Sequence, residues 1–293
     1  MTKLLYSAVL LSVASTAFAQ FSPVRYIEAS ELGRTDMTVA HDLDGDGDRD
    51  VAMSSSMGVA WWPNDGQGGN ADLVWIHPYS NEGIQSFLAA ADMDADGDMD
   101  LVSAENYTGA YLHINDGSGG FAAADTVLAV IGDMRDIVLA ELTGDGLPDL
   151  LISDYATSGV TIYPNIGGGL LGAGVDISAG IESVDDLLAF DADGDADIDV
   201  VFASYAQQTA LICVNQGSGT FSAPTEVFAG PFYSETLQAA DMDGDGDNDL
   251  VVANGDCVWY ANDGNGVFDE FGTTIAGSAP VAAWDVALGD LDG

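Results

Sequence analysis

Hydrophobic and polar residues in this chain alternate over short spans and never over a helical period. Runs such as "DVVFAS" (199–204), "TALICVN" (209–215), "GVTIYPN" (159–165) and "DCVWYAN" (256–262) are rich in β-branched and aromatic side chains and are bounded by Gly, Asn and Asp. That is the pattern of short strands joined by tight turns. No stretch keeps an apolar spacing near 3.6 over ten or more residues, so the chain is predicted to be all-β with helix nearly absent.

Between these runs the chain turns acidic at a fixed interval. "HDLDGDGDRDVAM" (41–53) places Asp42, Asp44, Asp46, Asp48 and Asp50 on every second residue and then becomes apolar. The stretch returns as "DMDADGDMDLV" from Asp92, "ELTGDGLPDLL" from Glu141, "DADGDADIDVV" from Asp191 and "DMDGDGDNDLV" from Asp241, and begins again as "DLDG" at Asp290. Successive starts differ by 49 or 50 residues, so one structural unit has been copied. A second landmark follows each loop: "NDGQGGN" from Asn64, "NDGSGGF" from Asn115, "NIGGGLL" from Asn165, "NQGSGTF" from Asn215 and "NDGNGVF" from Asn262. Asn followed by alternating Gly tolerates positive φ and reads as a tight turn between strands.

Each unit then holds four short strands, one on either side of the acidic loop and one on either side of the Asn-Gly turn. A four-stranded sheet of this size cannot bury both faces alone, and radial stacking into a β-propeller solves that. The strand before the acidic loop is small-sided ("FLAAAD", "VLAEL", "LLAFD", "LQAAD", "VALGD"), which suits the innermost strand, where blades crowd together. "FSPVRYIE" (21–28) matches "FSAPTEVF" (221–228), so residues 20 to 30 are expected to be the last strand of a blade whose other strands come from the C-terminus. The sequence stops inside the sixth loop, and it is therefore expected to be a fragment, with five full repeats and a partial sixth.

Carboxylates about 4 Å apart repel by roughly 4 kcal/mol per pair at an effective dielectric near 20. Several in one loop call for a cation. All-oxygen ligands on a flexible loop favour Ca²⁺ over Zn²⁺. In the first loop the predicted ligands are the side chains of Asp42, Asp44, Asp46 and Asp50 with the carbonyl of residue 48, Gly47 allowing the turn. The matching positions are Asp92, Asp94, Asp96 and Asp100, then Asp191, Asp193, Asp195 and Asp199, then Asp241, Asp243, Asp245 and Asp249, and finally Asp290 and Asp292. The seventh-position side chains Asp48, Asp98, Asp197 and Asp247 belong to the site as partners of the ligands or as solvated groups, since Leu147 stands there in the third loop. That loop also has Glu141 and Thr143 where the others have Asp, leaving Asp145 and Asp149, and is expected to bind more weakly. In the fourth, Ala196 replaces Gly and is expected to strain the turn. An EF-hand is ruled out: it needs a Glu at the twelfth position and flanking helices, whereas Met53, Ser103, Ile152, Phe202 and Val252 stand there within apolar strands.

The pattern D-x-D-x-D-G-x-x-D before an apolar strand, repeated about every 50 residues with N-x-G-x-G-x-F between, resembles the FG-GAP and VCBS-type repeats of integrin-α-like β-propellers. The resemblance covers nearly all of residues 20 to 293. It implies a propeller, most often seven-bladed, with about one Ca²⁺ per complete acidic loop, held between the first two strands of a blade. It also implies a protein of adhesion or carbohydrate recognition, or a secreted polysaccharide-degrading one.

Composition narrows the partners. The sequence carries 48 Asp+Glu against five Lys+Arg, a net charge of −43, yet 47% of it is hydrophobic, too much for a disordered acidic tail. Nucleic acid is an implausible partner for such a chain. Lys3, the apolar run from Leu4 to Val13 and Ala17-Phe18-Ala19 form a signal peptide over residues 1 to 19, so the propeller of residues 20 to 293 is expected to be secreted or at the cell surface. No later stretch is apolar enough to span a membrane as a helix. Cys213 and Cys257 read as two buried thiols or a single disulfide.

A propeller does not name an activity. The first reading is a monomeric, calcium-stabilised scaffold whose loops bind an extracellular protein or glycan. The alternative is a propeller-based polysaccharide lyase or hydrolase, which needs a convergent base, acid and electrophile. His41, His77 and His113 fall at different places in three repeats, and the glutamates outside the loops show no recurring pair. Trp61, Trp62, Trp75, Tyr107, Tyr155, Tyr205, Phe232, Tyr233 and Trp284 offer stacking surfaces for sugars if they gather at one rim, and otherwise fill the space between blades.

Overall fold

A computed structural model describes residues 34–66, 72–79, 85–129, 132–155, 159–229, 236–254, 256–269 and 271–275, with isolated positions 286 and 288. The predicted signal peptide, the strand expected over residues 20 to 30, and Asp290 and Asp292 of the sixth loop lie outside the described residues. Among the described residues there is no helix, and twenty strands form five four-stranded antiparallel sheets. In chain order the blades are β1 (Thr35–His41) to β4 (Val74–Pro78), β5 (Ser86–Ala91) to β8 (Asp125–Ala129), β9 (Met134–Ala140) to β12 (Val175–Asp176), β13 (Val184–Phe190) to β16 (Thr225–Ala229), and β17 (Thr236–Ala240) to β20 (Thr273–Thr274).

The first strands β1, β5, β9, β13 and β17 touch in succession, which makes them the inner strands, as their alanines predict. The second strands explain why their sequences are continuous apolar runs. β6 (Asp100–Glu105), β10 (Asp149–Asp154) and β14 (Asp199–Ser204) are buried at every residue, because a neighbouring blade covers each face. Apolar clusters accordingly join consecutive sheets. Leu43, Val59 and Trp61 of the first blade pack with Leu88 and Leu101 of the second. Leu142, Leu151 and Ile162 of the third pack with Val200, Phe202 and Cys213 of the fourth.

Four of the Asn-Gly turns are closed by an antiparallel bridge between their first and last residues, Asn115 with Phe121, Asn165 with Leu171, Asn215 with Phe221 and Asn262 with Phe268. The acidic loops and these turns share one end of every blade, because the loop follows the inner strand and the turn follows the third. The hairpins between second and third strands lie at the other end. Cys213 and Cys257 are both free thiols, at opposite ends of β15 (Thr209–Cys213) and β19 (Asp256–Tyr260).

Candidate metal centres

The acidic loops are built by backbone capture. Asp42 accepts the N–H of Gly45 on Oδ1 at 2.8 Å and that of Gly47 on Oδ2 at 2.9 Å. Asp191 and Asp241 do likewise in the fourth and fifth blades, and Asp92 in the second takes the N–H groups of Asp96 and Gly97, so that each closes the loop on its own carboxylate. Positions three and five each accept the N–H two residues on, as in Asp44 with Asp46 and Asp46 with Asp48, and Asp-rich sequences favour such turns. The geometry rolls the chain into a ring with carboxylate oxygens on its inside.

Four triads result. Carboxylate oxygens of Asp42, Asp44 and Asp50 lie within 4.8 Å of one another, as do those of Asp92, Asp94 and Asp96, of Asp191, Asp193 and Asp199, and of Asp241, Asp243 and Asp249. Burial and the neighbouring carboxylates hold Asp94 and Asp193 above the usual carboxylate range. Burial alone is the leading cause at Asp100 and Asp199, pushed up to about 6 against two backbone N–H bonds that favour the anion. Converging like charges with free lone pairs can hold a divalent cation, and a cation would reverse these shifts. The described residues therefore suit a hard metal ion at four of the five complete loops.

The third loop forms no such triad. Glu141 has one more methylene than Asp, and its Oε1 reaches the N–H groups of Thr143, Gly144 and Asp145 at 3.1, 2.5 and 3.2 Å. Asp145 accepts the N–H of Leu147. The seventh-position carboxylates stand apart from the triads as well. Asp48, Asp98 and Asp247 pack against Gly66, Gly117 and Gly264 of their own blade's turn, where a Cβ would overlap them. Asp46, Asp195 and Asp245 bind the next backbone N–H groups and, unlike Asp96, fall outside the triads.

The ninth-position aspartates have a second task that the spacing does not reveal. Asp50, Asp100, Asp149, Asp199 and Asp249 are fully buried. Each accepts on Oδ2 the N–H of the loop's second residue (Leu43, Met93, Leu142, Ala192, Met242) at 2.8–2.9 Å. Each accepts on Oδ1 the N–H of its blade's turn asparagine at 2.7–2.8 Å. The asparagines then reach across blades: Nδ2 of Asn115, Asn165, Asn215 and Asn262 donates to the carbonyl of Leu43, Met93, Leu142 and Ala192 of the preceding loop, at 2.7–3.1 Å. The legible signal for this latch was the apolar residue second in every loop, which is the residue that anchors the loop in the core.

Ala196 takes φ +74°, the strain its sequence position predicts. Ala95, fourth in the second loop where the other loops have Gly, does the same at +64°. Of the histidines, His113 is fully buried between the first two blades, with its ring nitrogen Nε2 2.8 Å from Ser103 Oγ, and burial pushes it down to about 3. His77 lies beside it, ring centroids 5.5 Å apart, while His41 ends β1. Among the aromatics Trp61 fills the core, Trp62 is half-buried, Trp75 lies on an outer strand, and Phe232, Tyr233 and Trp284 lie outside the described residues. Tyr107, Tyr155 and Tyr205 recur in the hairpins of three consecutive blades, at the end opposite the acidic loops.

Comparison with known proteins agrees with this architecture. The FG-GAP-like repeat family matches residues 42–103, 92–152, 191–252 and 241–293. No curated protein matches the chain. Among solved structures, a lectin from Agrocybe aegerita that recognises non-reducing terminal N-acetylglucosamine aligns at 18% identity and a TM-score of 0.49, over 83% of this chain and 80% of its own. The biofilm matrix protein Bap1 of V. cholerae aligns at 22% identity and a TM-score of 0.47, over 80% of this chain and 39% of its own. The Tc holotoxin pore of Photorhabdus luminescens aligns at 20% identity and a TM-score of 0.46, over 87% of this chain and 12% of its own. No helix of the described residues is long and apolar enough to cross a membrane. Four matched segments covering most of the sequence, each spanning an acidic loop and the strand after it, place the chain in the FG-GAP-like repeat family.

Proposed function

We propose that this chain is an exported, calcium-stabilised β-propeller scaffold that recognises an extracellular glycan or protein through its loops. The observation that carries the reading is the recurrence of a carboxylate triad in four blades at one place in the fold. Ca²⁺ suits it because every ligand is oxygen and the loop also presents main-chain carbonyls. The ion would neutralise each loop, fix the first two strands of the blade, and stabilise the folded state because the unfolded chain has no preformed site. The hairpin tyrosines at the opposite end support recognition there, away from the metal.

A site filled at a hundredfold excess over its Kd adds about 2.7 kcal/mol. Four such sites are expected to raise the Tm in millimolar calcium by about 20 °C over the chelated protein. Differential scanning calorimetry with and without chelator makes the measurement, and equal Tm values would end the calcium reading.

A further inference from the structure

Where the inner strands begin, about 20 Å along them from the acidic loops, an open cavity of about 440 Å³ is lined by Arg34, Asp36, Gln85, Arg135, Asp136 and Asp186 among others. It draws on four consecutive blades and uses one register position of the repeat, since Asp36, Ser86, Asp136 and Asp186 stand 50 residues apart. Asp36 Oδ2 accepts the N–H and the hydroxyl of Ser86, both at 3.0 Å. Asp136 accepts the N–H of Leu187 at 3.0 Å, and Asp186 that of Leu237 at 2.6 Å. The carboxyl groups of Asp136 and Asp186 are also hydrogen-bonded to each other. Burial raises both, Asp136 to about 7, so near neutrality the pair holds a proton and presents a donor beside acceptors.

Two of the chain's five basic residues stand at this cavity, and each is matched by a carboxylate. Arg34 Nε lies 2.7 Å from Asp36 Oδ1, and Arg135 Nη2 lies 3.2 Å from Asp133 Oδ2. Dense donors and acceptors with little net charge are thus collected at one spot in a protein of charge −43. Two tyrosines stand beside Arg135, one of the lining residues. The Arg135 guanidinium sits 4.5 Å from the centroid of the Tyr155 ring. Tyr107, beside Asp133 and the lining residue Arg135, is 63% exposed and holds φ +62°, a costly conformation for an aromatic residue.

We propose that this cavity binds a neutral saccharide, with Arg34, Asp36, Arg135 and the Asp136–Asp186 pair bonding its hydroxyls and the Tyr107 ring stacking on its apolar face. Vicinal hydroxyls match paired donors and acceptors, and a ligand that leaves such a set unpaired is bound more weakly. The field of a strongly acidic protein repels uronates. A bare cation is disfavoured, because Asp36, Asp136 and Asp186 form no triad of the kind the loops hold among the described residues. The proposal rests on the recognition reading above and gives it a place and a ligand class.

The test presents the full chain, in millimolar calcium, to a panel of neutral, uronic-acid-bearing and amine-bearing oligosaccharides, with affinities from titration calorimetry. Saturable binding of a neutral oligosaccharide is expected, weakened about tenfold or more by Tyr107→Ala and by Arg34→Ala. Both side chains are more than half exposed, so the Tm of each variant should match the parent. Binding of charged saccharides only, of none, or of a neutral one untouched by both variants overturns the site. The calcium melt is run on the same samples. A calcium-dependent Tm without saccharide binding defeats the cavity alone, whereas a Tm indifferent to calcium defeats the scaffold reading.

Discussion

The third acidic loop and the four Asp-rich loops follow the same path, yet they balance their charge in different ways. In the Asp-rich loops three carboxylates converge, each with an oxygen within 4.8 Å of the other two. In the third, Glu141 gathers three backbone N–H groups on one oxygen, and Thr143 removes the second charge. What does not change is the frame: Asp149 still accepts from Leu142 and Asn165, and Asn215 still reaches back to Leu142. The repeat therefore carries two superposed devices. The second and ninth loop positions with the turn asparagine hold the blades together, and the first and third positions, joined by the ninth in three of the four Asp-rich loops, hold charge for a metal.

The widest separation of the two devices comes from breaking one of each. Asp149→Ala strands two buried N–H groups, at about 1–3 kcal/mol each. Its Tm is expected to fall by about 4–12 °C, equally in calcium and in chelator. Asp193→Asn removes a triad charge and leaves the frame intact, so its loss, about 2.7 kcal/mol at a hundredfold excess of ion, should show in calcium and vanish in chelator. Paired melts of both variants decide the matter. A calcium-dependent penalty for Asp149→Ala would mean that the third loop holds calcium as the Asp-rich loops do.

A middle-sized effect is expected from converting the third loop. Glu141→Asp with Thr143→Asp restores the first- and third-position carboxylates beside Asp145 and Asp149. Calorimetric titration should then count one more calcium per chain than in the parent, with a Tm gain of one site's share. An unchanged stoichiometry would show that the Glu141 cap is not what separates the loops, and would move the difference to Leu147 or to the packing beneath.

The loops and strands were legible in the sequence for a physical reason: a β-blade buried on both faces needs continuous apolar runs, and a carboxylate ring needs Asp at alternate positions. The inner placement of β1, β5, β9, β13 and β17 was legible from their alanines, since crowding excludes larger side chains. The double duty of Asp50 and its equivalents was not. A buried aspartate that accepts two main-chain N–H groups and one that ligates a metal have the same letter and spacing, and only the direction of its lone pairs distinguishes them. The meeting of Asp36, Asp136 and Asp186 was also hidden, because a 50-residue separation becomes a contact only when the blades stack. The split of the ligand set between Asp46 and Asp96 depends on side-chain torsions that no spacing encodes.

The smallest effect expected concerns backbone strain within the Asp-rich loops themselves. The sixth loop position is Gly at φ +95°, +101°, +85° and +103° in the other four complete loops, and only in the fourth is it Ala196, at +74°. The conformation is imposed, because the N–H at that position must reach the first aspartate: Ala196 donates to Asp191 Oδ2 at 3.0 Å, as Gly47 donates to Asp42. A Cβ there costs about 1–2 kcal/mol, of which the greater freedom of glycine in the unfolded chain takes back a part. Ala196→Gly should therefore stabilise by about 1 kcal/mol, a Tm gain of about 2–4 °C, in calcium and in chelator alike. Ala95→Gly, at φ +64° in the second loop, is the matching control and should gain a similar amount. If Ala196→Gly instead lowers the Tm, the methyl group is packing against something that offsets its strain, and the fourth loop differs from the others in more than its backbone.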